Sequence, residues 1–288
     1  MRDYVIYTDS GCDLSPALLA RDGVGFECLT FRFDGEEKEY KNGEMEAKTF
    51  YDKMREGSVA KTAAINKETF KEAFRAILRE EKDVLYLGFS SGLSTTYNSA
   101  RLAATELREE FPDAKILTVD TLAASAGLGL LVHLAAAKKR EGATVEECAA
   151  YLEEISPRMC HWFTVDDLVY LKRGGRISAT AAFFGNALGI KPVMHVDNEG
   201  HLVPVLKVRG RRTAINTMAD KLGETALDLA TGKVYISHGD CLADAEYLAS
   251  VLADKYGAHV DLITDVGAVI GAHSGPGTLA LFFLGSER

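Results

Sequence analysis

What this 288-residue chain lacks narrows its function first. None of its five cysteines (Cys12, Cys28, Cys148, Cys160, Cys241) forms a C-x-x-C pair with another, and their number is odd. That argues against a disulfide framework or a cysteine zinc site and fits a reducing cytoplasm. An excess of positive charge is also missing. With 33 Lys+Arg against 42 Asp+Glu the net charge is −9, so nucleic acid is not an expected partner. No apolar stretch is long enough, without charges, to span a bilayer, and the opening MRDYVIYTDS has no apolar signal-peptide core. The expectation is therefore a cytoplasmic protein. There is no G-x-x-x-x-G-K-[ST] phosphate loop, no G-x-S-x-G elbow, no metal-binding carboxylate cluster and no basic recognition helix. Neither a cofactor nor a metal is expected. The remaining composition, 47% hydrophobic and 26% charged, is that of an ordinary globular protein.

The richest stretch is 84–100, VLYLGF followed by SSGLSTTYNSA. Its first half reads as a short buried strand, and its second half as hydroxyls leading into a helix with Tyr97, Ala100 and Ala104 on one face. A strand that empties through such a turn onto a helix start suits a modest anion such as a carboxylate. Ser90, Ser91, Ser94, Thr95 and Thr96 supply five hydroxyls, more than the one that N-capping requires.

The order of elements predicts an α/β protein with two α/β domains, residues 1–157 and 158–288. The first carries a mostly parallel, doubly wound sheet, the second a mixed sheet, with the ligand between them. Strands are expected at 4–7, 84–89 and 115–119. Helices are expected after the Ser15-Pro16 cap, after Asn66, over the Ala-rich 122–137 tract and after the Thr144-x-x-Glu147 capping box. Ser156-Pro157 marks the break. Beyond it come a short helical segment at 166–171, a hairpin of 190–196 with 202–208 turning at Gly200, a strand at 234–237, a helix at 242–256 and a strand at 260–264. Strands end in polar clusters (Thr8-Asp9-Ser10, Asp120-Thr121, Ser237-His238, Thr264-Asp265). In open α/β sheets such ends face the ligand.

Three groups of residues could carry chemistry. His273 and Ser274 stand in Gly271-Ala-His-Ser-Gly-Pro-Gly277, which predicts an imidazole fixed at a sharp turn. Asp9, at the end of the first strand, is read as a loop anchor rather than a nucleophile, and Cys12 as a buried structural thiol. His133, His195, His201 and His259 look unremarkable, and His238 is ambiguous. Two basic runs, 172–176 and 207–212, are interrupted by glycines and suit an anionic or phosphate-bearing partner.

Taken together, YTDSGCDL, FSSGLSTTYNSA, VDTLAASAGLG, TVDDLVYLKRGGRIS, GIKPV with its hairpin, KVRGRRTA and AHSGPG make the chain resemble a DegV family protein over essentially its whole length. The family includes the fatty acid-binding subunit of bacterial fatty acid kinase. The resemblance implies an apolar tunnel between two α/β domains that holds a long-chain fatty acid such as palmitate. A separate ATP-dependent kinase subunit would phosphorylate its carboxylate to an acyl phosphate for phospholipid synthesis. It also allows transient contact with a membrane. Carried over residue by residue, it puts carboxylate binding on Thr62 and Ser94, with Ser91 beside them, the glycine-flanked histidine on His273, and the KVRG arginine on Arg209. Arg173 and Arg176 become the expected kinase-docking residues. This chain departs from the family's T-S-Q-P-S pattern: Ala63, Ala64, Ile65 and Asn66 follow Thr62. Phe183, Phe184, Leu188 and Phe282 are candidates for the tunnel wall, and equally for plain core. The other reading is a free-standing hydrolase or phosphotransferase using Asp9, His273 or Cys12.

Overall fold

The computed structural model describes residues 2–178 and 189–288. In chain order the elements are β1 (Tyr4–Asp9), α1 (Pro16–Arg21), β2 (Val24–Glu27), β3 (Thr30–Phe33), β4 (Tyr40–Lys41), α2 (Ala47–Arg55), β5 (Ala60–Ala63) and α3 (Lys67–Arg79). Then come β6 (Asp83–Gly88), α4 (Thr96–Glu110), β7 (Ile116–Asp120), α5 (Ala126–Arg140), α6 (Val145–Ile155), β8 (Met159–Thr164) and α7 (Val169–Arg173). The rest are β9 (Ile190–Val196), β10 (Leu202–Arg209), α8 (Arg211–Thr225), β11 (Tyr235–His238), α9 (Leu242–Tyr256), β12 (Leu262–Asp265), α10 (Ala268–Ser274) and β13 (Leu279–Leu284).

Local chemistry explains the entries to the helices. The Ser15 hydroxyl accepts the Leu18 amide ahead of Pro16, Asn66 accepts the Thr69 amide, and Thr144 and Glu147 cap each other reciprocally. The hairpin of β9 and β10 forms as expected, with Gly200 in its turn at φ +79°.

Three sheets result. One is wholly parallel, in the order β2-β1-β6-β7, and β6 is buried at every position. The second is mixed, in the order β10-β9-β8-β13-β11-β12. The third, β4-β3-β5, is small and antiparallel. Alternation along β8 assigns the two faces of the mixed sheet. Cys160 and Trp162 pack with Ile215, Met218 and Leu222 of α8 and Leu248 and Leu252 of α9. His161 and Phe163 face a large cavity on the opposite side.

Two expectations need correcting. The Ala-rich helix begins at Ala126 rather than near residue 122. Leu122 and Ser125 take positive φ (49° and 54°), the Asp120 carboxylate accepts the Leu122 amide, and the Ser125 hydroxyl is turned onto Asp13, so 122–125 is a loop. His273 is not in a sharp turn but in the last turn of helix α10, and the turn follows it at Gly275, φ +83°. A Cβ on Gly275 would stand 2.3 Å from the Tyr170 ring, so the close approach also requires glycine there. The third sheet, α2, β8, α8, α10 and β13 go beyond what the pattern showed.

Candidate functional site

A cavity of about 760 Å³ lies between the parallel sheet's carboxyl edge, the mixed sheet and α10, a size typical of sites that bind small molecules. Its wall is largely apolar, with Leu29, Phe89, Leu93, Phe163, Val269 and Phe282 among the lining residues. Phe282 is thus a wall residue as well as a core one. Phe183, Phe184 and Leu188 lie outside the described residues.

At the mouth the lining turns polar. Thr62, on β5, shares a 2.8 Å hydrogen bond between its Oγ1 and His273 Nε2, although 211 residues separate them in sequence. The small sheet thus brings this threonine to α10. Burial, and secondarily the nearby Arg176 guanidinium, push the His273 pKa down to about 4, so the imidazole is neutral at pH 7. Its Nδ1 is buried without a hydrogen-bond partner among the described residues. The ring packs on Gly174, where a Cβ would stand 2.1 Å from Nδ1, and this accounts for the first glycine of KRGGR.

The five hydroxyls of the β6–α4 loop divide their work. Ser90 is buried and donates to the Gly200 carbonyl at 3.0 Å, fastening the hairpin tip to the loop. Ser94 accepts the Thr96 amide at 3.2 Å and pairs with the Thr96 hydroxyl at 2.9 Å, while Thr95, the formal N-cap, makes no side-chain cap bond. Ser91, Ser94 and Thr95 line the cavity with Thr62 and His273. Ala63 and Ala64 are exposed and also line it, so the departure from T-S-Q-P-S makes the mouth more apolar.

The basic residues separate. Arg176 is half-buried in the cavity wall, donating to the carbonyls of Leu93 (3.1 Å) and Gly174. No carboxylate pairs with it among the described residues. Arg173 stays exposed, its guanidinium 5.7 Å from the Tyr170 ring centre. Arg209 is exposed at the end of β10, an edge strand, and is not part of the cavity wall.

Asp9 is committed elsewhere. Its Oδ1 accepts the Gly11 amide, and its Oδ2 accepts the Tyr86 hydroxyl (2.7 Å) and the Phe89 amide (2.9 Å). Fully buried, it holds the ends of β1 and β6 together, and nothing in this geometry offers it to a substrate. The Cys12 thiol is buried, and burial pushes its pKa up, which makes it a poor nucleophile.

Two cavity residues, His161 and Ser125, go beyond the sequence pattern, whereas Ser237 stands in one of the strand-end polar clusters. His161 donates from Nδ1 to the Met159 carbonyl (2.9 Å) and accepts the Ala124 amide at Nε2 (3.2 Å), a neutral tautomer whose pKa burial holds well below the usual range. Ser125 and Ser237 share a 2.9 Å hydrogen bond, and Ser125 also donates to Asp13 Oδ2 at 2.6 Å. Burial raises the Asp13 carboxyl to about 7. β8 is buried at every position, so no polar alternation marked His161, and no local pattern marked Ser125. Among the described residues no group of metal-ligating side chains clusters, and no helix is long and apolar enough to cross a membrane.

The model for the family described as uncharacterised protein, DegV family, matches residues 3–286. The chain belongs to the DegV family. A DegV domain-containing protein of Clostridium perfringens is 41% identical over 289 residues, covering 100% of this chain and 99% of its own. The structure of a DegV family protein from Thermus thermophilus, described for its fatty acid binding, superimposes with a TM-score of 0.88 at 32% identity over 99% of this chain and 100% of that one. A stearic acid-binding protein from Eubacterium ventriosum superimposes with a TM-score of 0.89 at 25% identity, covering 98% of each chain. The parallel and the mixed sheet described above are thus those of a DegV fold.

Proposed function

We propose that this protein binds one long-chain fatty acid in the cavity and presents its carboxylate, at the mouth, to a separate ATP-dependent kinase subunit for conversion to an acyl phosphate. The observation that carries the reading is the Thr62–His273 hydrogen bond at the polar mouth of a largely apolar cavity. Neutral donors, with Ser91 and Ser94 beside them, suit a monoanion better than a polyphosphate. Burying about sixteen carbons offers on the order of ten kcal/mol before association and ordering costs are subtracted. The family relatives described as binding fatty acid and stearic acid support the ligand class. Residues 1–157 and 158–288 act as two units clasping the chain.

In this reading the protein is the carrier, and the reactive group belongs to its ligand. His273 and Arg209 meet the charge added on phosphorylation, and the basic residues Arg173 and Arg176 meet the kinase, Arg176 from the mouth itself. The site of action is the cytoplasm, where ATP is available.

The test is mass spectrometry of lipid extracted from the purified protein. A bound long-chain fatty acid supports the carrier. An empty cavity, with turnover of a model ester or phosphate by the protein alone, overturns it in favour of an enzyme.

A further inference from the structure

Arg288 follows β13, and its guanidinium gathers four backbone carbonyls from three segments far apart in sequence. Nη1 donates to Leu122 (2.7 Å) and Asp197 (3.2 Å), and Nη2 donates to Thr121 (3.3 Å) and Ser156 (2.5 Å). No carboxylate lies within ion-pair distance of it among the described residues, and burial lowers its pKa from the usual value. A partly buried cation held only by carbonyls is a costly fastener. The segment itself does not need it. The Gly285 amide donates to Arg158, the Ser286 amide to Thr225, and the Cys160 thiol to the Glu287 carbonyl.

Two routes lead from these carbonyls to the hydroxyl-rich loop at the mouth. The first runs through the β7–α5 loop. There Asp120 Oδ1 accepts the amides of Leu122 (3.3 Å) and Ser91 (3.2 Å), and the Ala123 carbonyl accepts the Ser90 amide (2.9 Å). The second runs through the hairpin turn. The Asp197 carbonyl, shared with Arg288, accepts the Gly200 amide (3.0 Å), and the Gly200 carbonyl accepts the Ser90 hydroxyl (3.0 Å). Both routes reach Ser90, whose own carbonyl accepts the Leu93 and Ser94 amides. Ser91 and Ser94 line the cavity, and Arg288 does not.

We infer that Arg288 is a positioning residue: its guanidinium fork locks the β7–α5 loop to the hairpin turn and so fixes the mouth hydroxyls for the ligand carboxylate. This rests on the fatty-acid reading and adds to it a residue that never touches the ligand. Lysine would keep the charge but offers three donors on one nitrogen, so it cannot span four carbonyls from both ends of a plane.

The experiment titrates lipid-free protein, by calorimetry, with myristic acid and with 1-tetradecanol, which share a chain length and differ in head group. In Arg288→Ala and in Arg288→Lys the acid should bind roughly three- to tenfold more weakly than in the wild type, with alcohol affinity changed by about twofold or less. Should Arg288→Ala fail to fold, Arg288→Lys alone decides. Equal losses for acid and alcohol would make Arg288 a general stabiliser of the fold and overturn the assignment. Unchanged acid binding in either variant overturns it too. Failure of both ligands to bind the wild type overturns the fatty-acid reading itself, and the role of Arg288 with it.

Discussion

The mouth of the cavity, and the junction behind its wall where Asp13 meets Ser125 and through it Ser237, each hold a titratable group that burial has driven towards neutrality, in opposite directions. At the mouth His273 falls to about 4, and at the junction Asp13 rises to about 7. One environment thus discharges an acid and a base alike, as desolvation requires. The difference lies in what surrounds them. The mouth combines the neutral imidazole with the hydroxyls of Thr62, Ser91, Ser94 and Thr95 and a half-buried guanidinium that lacks a carboxylate partner among the described residues, which is a setting for an anion. The junction offers a carboxyl and two serines, and the neighbouring Asp265 raises the Asp13 pKa further, which repels one. A carboxylate entering this cavity has one favourable end.

The largest effect that can break this contrast lies at Asp13. Its folded pKa is raised, so the folded state holds the proton more tightly, and its contribution to stability is present at low pH and lost as pH rises from about 4 to about 7. The span is on the order of 4 kcal/mol. Asp13→Asn should flatten that loss in urea unfolding measured at pH 5 and pH 8; an unchanged slope would mean that Asp13 is already ionised in the folded protein.

His273 should give the mirror image. Its folded pKa is lowered, so its contribution is present above about 6.5 and lost as pH falls towards 4, by at most about 3 kcal/mol. His273→Gln should reduce the acid-side loss, and equal acid sensitivity in both proteins would place the imidazole in water.

Next comes the head group. Thr62→Ala with Ser94→Ala should weaken fatty acid binding by roughly 1–3 kcal/mol in titrations, the usual consequence of leaving a charged acceptor short of donors. Undiminished affinity would remove both residues from the ligand.

The smallest effect is expected at the surface. Arg173→Glu should weaken the complex with a kinase subunit by a few fold, roughly 1 kcal/mol or less, and more at low salt, with bound lipid retained. Affinity that ignores both the substitution and the salt would move the interface away from Arg173.

The two regions also differ in how far they could be read from sequence. Capping chemistry is local, so the starts of α1, α3 and α6 were legible at Ser15, Asn66 and Thr144. The hydroxyl-rich loop announced a site because its residues are contiguous. The Thr62–His273 contact was not legible from pattern, because it joins a four-residue strand to a seven-residue helix across 211 residues, and only family resemblance put both in one list. The central strands β8 and β13 escaped because they are buried on both faces and so lack alternation. His161 was hidden inside one of them. Charge along the chain grouped Arg173 with Arg176, and it could not show that Arg173 stays exposed while Arg176 folds into the cavity wall.

The most direct measurement is a crystal structure of the protein loaded with palmitate. The carboxylate should lie within hydrogen-bonding distance of Thr62 Oγ1 and Ser94 Oγ at the mouth, with the acyl chain along Phe163 and Phe282. A carboxylate resting instead against Ser125 and Ser237, with its tail at the mouth, would contradict the assignment of the two regions.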